Sequence, residues 1–167
     1  MAKKAVVRAW DSDALIAWIG TETPERVAQC TPVIRAAEEG HVVLLVSALA
    51  LVEVVKLRHH DPISREDQAK VEGFFQRSFI ETQAVTRRIA ELGRQIVWDY
   101  GIAPKDSTHV ATALVRRVGV LETFDNGLIR HDGLAIAGYE RLEIREPYFP
   151  ESDQIDLFTT IAELDQG

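Results

Sequence analysis

The sequence predicts an α/β fold: one domain with a central parallel sheet of four to five strands, flanked by helices on both sides. Three observations point there. Short apolar runs alternate along the chain with stretches of helical periodicity, and parallel strands joined in that way need crossover helices. One run, Val42-Val43-Leu44-Leu45-Val46, is continuously β-branched or leucine, as suits a strand covered on both faces. Acids stand at or just past the ends of these runs, and the carboxyl ends of parallel strands form the working edge of such sheets.

Taken in order, Ala5 to Trp10 is a short strand that stops at Asp11, with Arg8 spoiling full burial. Asp11-Ser12-Asp13 opens a helix over Ala14 to Ile19, and Gly20 and Pro24 punctuate it. Pro24 begins a second helix, stopped near Gly40, with Val27, Cys30, Ile34 and Ala37 on one apolar face. The Val42–Val46 strand follows. Ser47 is placed to cap a helix from Ala48 to Leu57 that carries Glu53. Pro62 ends that region, and Ser64 caps a helix through Phe75. Phe79 to Thr82 reads as a third strand, and Val85 to Val97 as a helix with Ile89, Leu92 and Ile96 aligned. Gly101 and Pro104 precede a helix with Asp106 in its first turn, running to Val118 and stopped by Gly119. Val120 to Phe124 is a fourth strand ending at Asp125, Asn126-Gly127 is a turn signal, and Leu142 to Ile144 is a fifth, edge strand.

Residues 1–150 form the domain, and 151–167 an acidic C-terminal appendage. Ser152 can cap a short helix there, with Ile155, Phe158, Ile161 and Leu164 on one stripe. Such a helix either docks on its own domain or binds a partner, covering a basic groove as a nucleic-acid mimic.

At 167 residues, 46% hydrophobic and 27% charged, the chain has the composition of a soluble globular domain. No apolar stretch approaches the roughly 20 residues that span a bilayer, and the N-terminus lacks a signal-peptide apolar region. With Cys30 its only cysteine, no internal disulfide forms, so a cytoplasmic protein with no membrane partner is expected. The net charge of −7 argues against nucleic acid on its face. Five acids and no base follow Pro150, however, and the remainder holds 21 acids against 19 bases. If four of those acids bind metal, the body is slightly basic.

Asp11, Glu53, Asp106 and Asp125 are the candidate metal ligands. Each has a plainer role to weigh. Asp11 and Asp106 suit helix capping, and Asp125 suits the turn that follows it. Glu53 is harder to explain away, because it interrupts an apolar stretch, and a buried carboxylate without a cation is costly. Four carboxylates at strand ends favour a hard divalent cation, which takes oxygen ligands. That arrangement suits phosphodiester hydrolysis, in which metal activates water and steadies the leaving oxygen. Asp13, Ser47, His109 and Thr123 are candidates for supporting the ligands or touching substrate. His109 lies one turn after Asp106, and Thr123 shares a strand side with Asp125. Lys56, Arg58, His59, His60 and the pairs Arg87-Arg88 and Arg116-Arg117 are candidates for contacts to a nucleic-acid backbone. There is no glycine-rich phosphate loop, paired cysteine or serine nucleophile elbow.

With these residues in place the chain resembles the PIN-domain nucleases, most of all the VapC-type toxin ribonucleases of type II toxin–antitoxin systems. The resemblance rests on Asp11-Ser12-Asp13-Ala14-Leu15-Ile16, Ser47…Glu53-Val54, Asp106-Ser107-Thr108-His109-Val110-Ala111-Thr112-Ala113 and Thr123-Phe124-Asp125, and covers roughly Val6 to Ile144. It implies a PIN-like sheet and an acidic pocket for Mg²⁺ or Mn²⁺. Asp11 and Asp106 would be principal ligands, with Glu53 and Asp125 completing the quartet partly through water. It also implies cleavage of single-stranded RNA, a small antitoxin protein as partner, and a homodimer. The chain departs from the family pattern at Asp13, commonly Asn or Ser, at Arg8 in a strand usually apolar, and in the appendage.

Two other readings stand beside it. Asp11-Ser12-Asp13 after a strand is similar to the nucleophile motif of the haloacid-dehalogenase Mg²⁺-dependent phosphatases, with Asp11 attacking phosphorus and Asp13 as acid/base. Ser47 and Lys105 would then be recruited, and Glu53 would have no role. The other is a PIN-like binding module without catalysis.

Overall fold

The computed structural model describes residues 4–20, 23–55 and 64–150. The chain runs β1 (Val6–Trp10), α1 (Ser12–Ile19), α2 (Pro24–Glu38), β2 (Val42–Ser47), α3 (Ala50–Glu53), α4 (Arg65–Phe75), β3 (Ile80–Gln83), α5 (Arg87–Tyr100), α6 (Pro104–Val115), β4 (Val120–Glu122), α7 (Asn126–Ile129) and β5 (Glu143–Arg145). The five strands form one sheet in the order β3-β2-β1-β4-β5, every pair parallel. The sheet class, the strand count and the edge position of β5 agree with the sequence.

Both faces are covered. Trp10, Leu44 and Val46 face a core built with α1 and α2, whose Leu15, Cys30, Val33 and Ile34 are buried. Ala9, Leu45 and Leu121 face the other core, filled by Ile89 and Ile96 of α5 and Val110, Ala113 and Leu114 of α6. The alternation of neighbours between cores follows from the two-residue period of a strand. From central β1 the chain moves outward through β2 and β3, then returns to β1's other side for β4 and β5. The crevice between β1 and β4 is therefore a switch point, the place where open α/β sheets bind ligands.

Three local expectations are corrected. The Ala48–Leu57 helix shrinks to the four residues of α3, with Val54 out of helical geometry at ψ 62° and Leu57 outside the described residues. Ser47 does not cap it. Ser47 is the last residue of β2, and its Oγ accepts from the Leu49 N–H two residues on, while β-branched Val52, Val54 and Val55 weaken any longer helix. The helix expected to reach Val118 ends at Val115, and Arg117, not Gly119, takes the left-handed conformation at φ 54°. The Val118 N–H bonds Ala113 O and the Arg117 N–H bonds Leu114 O, so the helix closes in a Schellman arrangement with arginine where glycine is usual. Finally, Asn126-Gly127 is not a bare turn but the start of α7, capped by Asp125.

Arg8 is the fold's largest surprise. It is 7% exposed, and its guanidinium bonds Glu122 Oε1 at 2.9 Å, bonds Tyr148 O, and stacks on Phe149. Glu122 is wholly buried and also accepts from Trp10 Nε1 at 2.8 Å and the Tyr148 N–H at 3.3 Å, with Arg145 Nη2 at 3.5 Å. The network binds β1, β4 and β5 to residues 146–150, which lie along the α2 face.

Glu122 also reaches the one cysteine. Burial, and then the Glu122 charge, push the Cys30 thiol up to about 12. Thiolate is the reactive form, so a raised pKa slows reaction at neutral pH. Native protein at pH 8 is expected to react with iodoacetamide more than about 100-fold slower than protein in concentrated urea. Comparable native and denatured rates would show Cys30 to be accessible.

The appendage 151–167 and the basic cluster Lys56, Arg58, His59 and His60 lie outside the described residues, as does Pro62. No helix among the described residues is long and apolar enough to cross a membrane.

Candidate active site

Asp11 follows β1 and is the N-cap of α1. Its Oδ1 accepts from the Ala14 N–H at 3.0 Å, which satisfies one of the helix's unpaired donors. Its Oδ2 accepts from Thr123 Oγ at 2.5 Å, and the same hydroxyl accepts from the Asp125 N–H at 2.9 Å. Thr123, wholly buried, thus ties the end of β1 to the turn after β4 across the switch point. Asp11 is only 4% exposed, and burial pushes its carboxyl up to about 7 against the opposing pull of His109, Thr123 and Ala14. Capping and a functional position coincide in this residue.

Asp125 caps α7 by accepting from the Gly127 N–H at 2.7 Å. A Cβ on Gly127 would stand 3.0 Å from Asp125 Oδ1, tighter than most Cβ contacts, so glycine gives the carboxylate room to fold over the helix start.

Glu53 lies at the end of α3 and is held from three sides. Ser12 Oγ donates to its Oε2, His109 Nε2 stands 2.7 Å from the same oxygen, and Lys105 Nζ is 3.6 Å from Oε1. Burial raises the Glu53 carboxyl, but hydrogen bonds from His109 and Ser12 and the nearby His109 and Lys105 outweigh it, and the net is down to about 2. An ionised Glu53 only accepts, so His109 Nε2 carries the shared proton. The other ring nitrogen, Nδ1, is buried without a hydrogen-bond partner among the described residues. His109 itself is 4% exposed, packed in the helix face toward the sheet.

Asp106 differs from the others. It lies in the first turn of α6, whose N-cap is Ala103 and has no side-chain cap, so capping does not explain it. Ser107 and Thr108 do not cap either, since both hydroxyls donate backwards to Pro104 O. Among the described residues the Asp106 carboxylate makes no hydrogen bond and no ion pair. Burial raises its pKa, and the charges of Asp125, Glu53 and Asp13 raise it further against His109. α5 turns Gly93 to α6 here, where an added Cβ would meet Ser107 in ordinary contact at 3.5 Å.

The structure thus gathers Asp11, Thr123 and Asp125 by hydrogen bonds, and Glu53, Ser12 and His109 by another set. The two groups meet at His109, which also acts on Asp11 electrostatically, and at Asp106, which feels acids of both. Asp11 and Asp106 share His109 and Asp13 as charged neighbours. Ser47 is not brought in, because its hydroxyl is spent on Leu49. Ser12 and the Lys105 contact to Glu53 were missed by sequence reasoning. The available signal was position, since each adjoins a candidate acid.

The oxygen-only donor set fits a hard divalent cation. Among the described residues no three His, Cys, Asp or Glu side chains form a ready-made ligand cluster. Mg²⁺ does not ask for one, because it keeps several waters and takes one or two carboxylates directly. The unpartnered Asp106 carboxylate among like charges is the observation that fits such an ion best.

Comparison with known proteins follows the same residues. The PIN domain family pattern matches residues 10–134, three-quarters of the chain, from the end of β1 past α7. The chain belongs to the PIN domain family. PIN domains are nucleases as a family, and they generally use divalent metals. No curated protein matches the sequence. Among solved structures the chain is similar to VapBC2 from Rickettsia felis, crystallised with a DNA fragment from its promoter, at TM-score 0.59 and 13% identity over 84% of this chain and 98% of that one. It is also similar to a toxin–antitoxin complex from Klebsiella pneumoniae, at TM-score 0.56 and 17% identity over 86% and 99%. These likenesses show a shared fold. The PIN match stops at Leu134, so β5 and residues 146–150, which the buried Glu122 network fastens, lie outside it.

Proposed function

We propose that this PIN domain is a divalent-metal-dependent endoribonuclease that hydrolyses phosphodiester bonds of single-stranded RNA in the cytoplasm. The observation that carries the reading is Asp106: a half-buried carboxylate with no hydrogen-bond or ion-pair partner among the described residues, raised by burial and then by Asp125, Glu53 and Asp13 at the switch-point edge. A divalent cation offsets that repulsion. Asp11 and Asp106 would hold Mg²⁺ or Mn²⁺, with Glu53 and Asp125 reaching it partly through water. Bound there, the ion supplies an activated water and neutralises charge on the leaving oxygen.

The remaining work belongs to the chain. Thr123 fixes the Asp11 carboxylate and, through the Asp125 N–H, the loop that aims Asp125. Ser12 and His109 fix Glu53 and keep it ionised.

The toxin–antitoxin complexes among the structural neighbours support a toxin role with a small antitoxin protein as partner, and the proposal takes a homodimer as the working state. The phosphatase reading draws no support here. Glu53 is built into the site by three side chains, and Ser47, which that chemistry would recruit, is turned away.

The test incubates purified protein with mixed RNA and separately with a phosphomonoester, in Mg²⁺, Mn²⁺ or EDTA. RNA cleavage that EDTA abolishes is the expected result. Phosphomonoester turnover that survives Glu53→Gln would overturn the reading in favour of a phosphatase. No turnover with either metal, with tight binding to a small protein, would make the domain a binding module.

A further inference from the structure

The acids of the site repel the polyanion it is read to cut, so cations must bring that strand in. Several described cations are already engaged. Arg8 and Arg145 serve Glu122, Arg116 bonds Glu81 at 2.5 Å and Gln83 at 2.7 Å, Arg87 pairs with Glu91, and Lys70 lies between Glu66 and Asp67. Two others stand beside the candidate acids, at the rim of the site.

Lys105 projects from the first turn of α6 beside Asp106. Its side chain is 72% exposed, and its only ion pair among the described residues is the 3.6 Å approach to Glu53. That distance is too long for a hydrogen bond, and an exposed pair of this kind is weak. Glu53 keeps Ser12 and His109 when Lys105 leaves, so Lys105 can change partners cheaply.

Arg130 follows α7, beside Asp125. Its Nη2 lies 3.7 Å from where a Gly127 Cβ would be, against the same glycine that Asp125 Oδ1 faces. The residue is exposed, and its guanidinium forms no hydrogen bond or ion pair among the described residues, Asp125 included. Its planar guanidinium is an unspent fork of donors suited to a phosphate. One cation therefore stands beside Asp106 and Glu53, and the other beside Asp125.

We propose that Lys105 and Arg130 hold backbone phosphates of the RNA beside the acids. The proposal rests on the ribonuclease reading and adds the residues that position its substrate. Lys105 exchanges its Glu53 contact for a phosphate oxygen, while Arg130 donates to another phosphate near Asp125. The acids stay available to the cation, and the strand is held in register beside them. Phosphate contacts of this kind position the chain without reading its sequence.

The experiment measures binding of a fluorescein-labelled single-stranded 12-mer RNA by anisotropy in EDTA, as a function of salt. Full-length wild type, Lys105→Ala, Arg130→Ala and the double variant are compared, with Arg141→Ala, before the amino end of β5, as control. Each rim substitution is expected to reduce the slope of log affinity against log salt by about 0.7, and the double variant by about 1.4. Arg141→Ala should leave it unchanged. In Mg²⁺ the rim variants should raise KM for RNA cleavage several-fold with kcat nearly kept, and Lys105→Arg should restore KM. Tm should stay at the wild-type value throughout. Slopes and KM unchanged in both single variants, with wild type binding and cutting RNA, would overturn this inference alone. Wild type that neither binds nor cuts RNA would overturn the ribonuclease reading with it.

Discussion

Asp106→Asn protein is expected to lose RNA cleavage by more than about 100-fold, since even residues that only support a metal ligand commonly cost 10–100-fold in metal affinity or activity. The same substitution should leave metal-free protein as stable as wild type or more so. The carboxylate accepts nothing from its surroundings, and its raised pKa means the folded state disfavours its ionised form. An acid in the first turn of α6 does gain from the helix dipole, about 0.3–1 kcal/mol when exposed. Burial and three like-charged neighbours oppose that gain, and the direction of the shift says they prevail. Each kcal/mol relieved is worth about 2–4 °C in a domain of this size. Thermal unfolding in EDTA and with millimolar Mn²⁺ separates the roles. Wild type should gain stability with Mn²⁺ by mass action, and Asp106→Asn should gain less. A fall of several degrees for Asp106→Asn in EDTA would mark Asp106 as a structural acid and remove the main support for the metal reading.

Arg8→Ala should be the most destabilising of the substitutions considered, at about 3–5 kcal/mol, because it leaves Glu122 buried with its principal charge partner gone. Glu122 keeps Trp10, the Tyr148 N–H and a long contact to Arg145, but each is weaker than the 2.9 Å pair. Arg8→Met with Glu122→Leu should recover much of the loss, since replacing a buried pair by apolar groups is often neutral. Recovery stays incomplete because Trp10 Nε1 and the Tyr148 N–H then lack their acceptor, at about 1–3 kcal/mol for each buried donor left unpaired. Urea midpoints of the three proteins measure this directly. A loss below about 1 kcal/mol for Arg8→Ala would mean that solvent reaches Glu122 and the network is ornamental.

Much of the site was legible because its acids mark strand ends. Asp11 stops an apolar run, Asp125 follows one, and Glu53 interrupts a third apolar stretch, so each contrasts with its neighbours. Asp106 was legible for a similar reason, as the acid in the first turn of a helix otherwise small and apolar. Thr123 was found by strand alternation, and it does bond a carboxylate, that of Asp11 rather than Asp125. What misled was a capping rule applied to Ser47, where strand pairing to Gln83 carries β2 one residue further than the capping pattern implied. The Val118 helix end failed likewise, because glycine is the usual left-handed residue and here arginine takes that place.

The sequence by itself determined the class of fold, the all-parallel sheet and the edge on which the candidate acids emerge. Each follows from local periodicity and from contrast between neighbours, which survive whatever the rest of the chain does. Only the tertiary structure decided the partnerships. Arg8 looked like a flaw in β1 until β4, adjacent in space and 114 residues on, set Glu122 beside it. Ser12 and His109 are 97 residues apart and became one clamp only when α1, α3 and α6 met over the sheet. Lys105 and Arg130 gained their meaning from the acids beside them. A strand's pattern says which face a side chain takes, but strand order and helix packing say what stands opposite. Electrostatic interactions fall off with distance and burial, so it is that opposing group which fixes each charge's role.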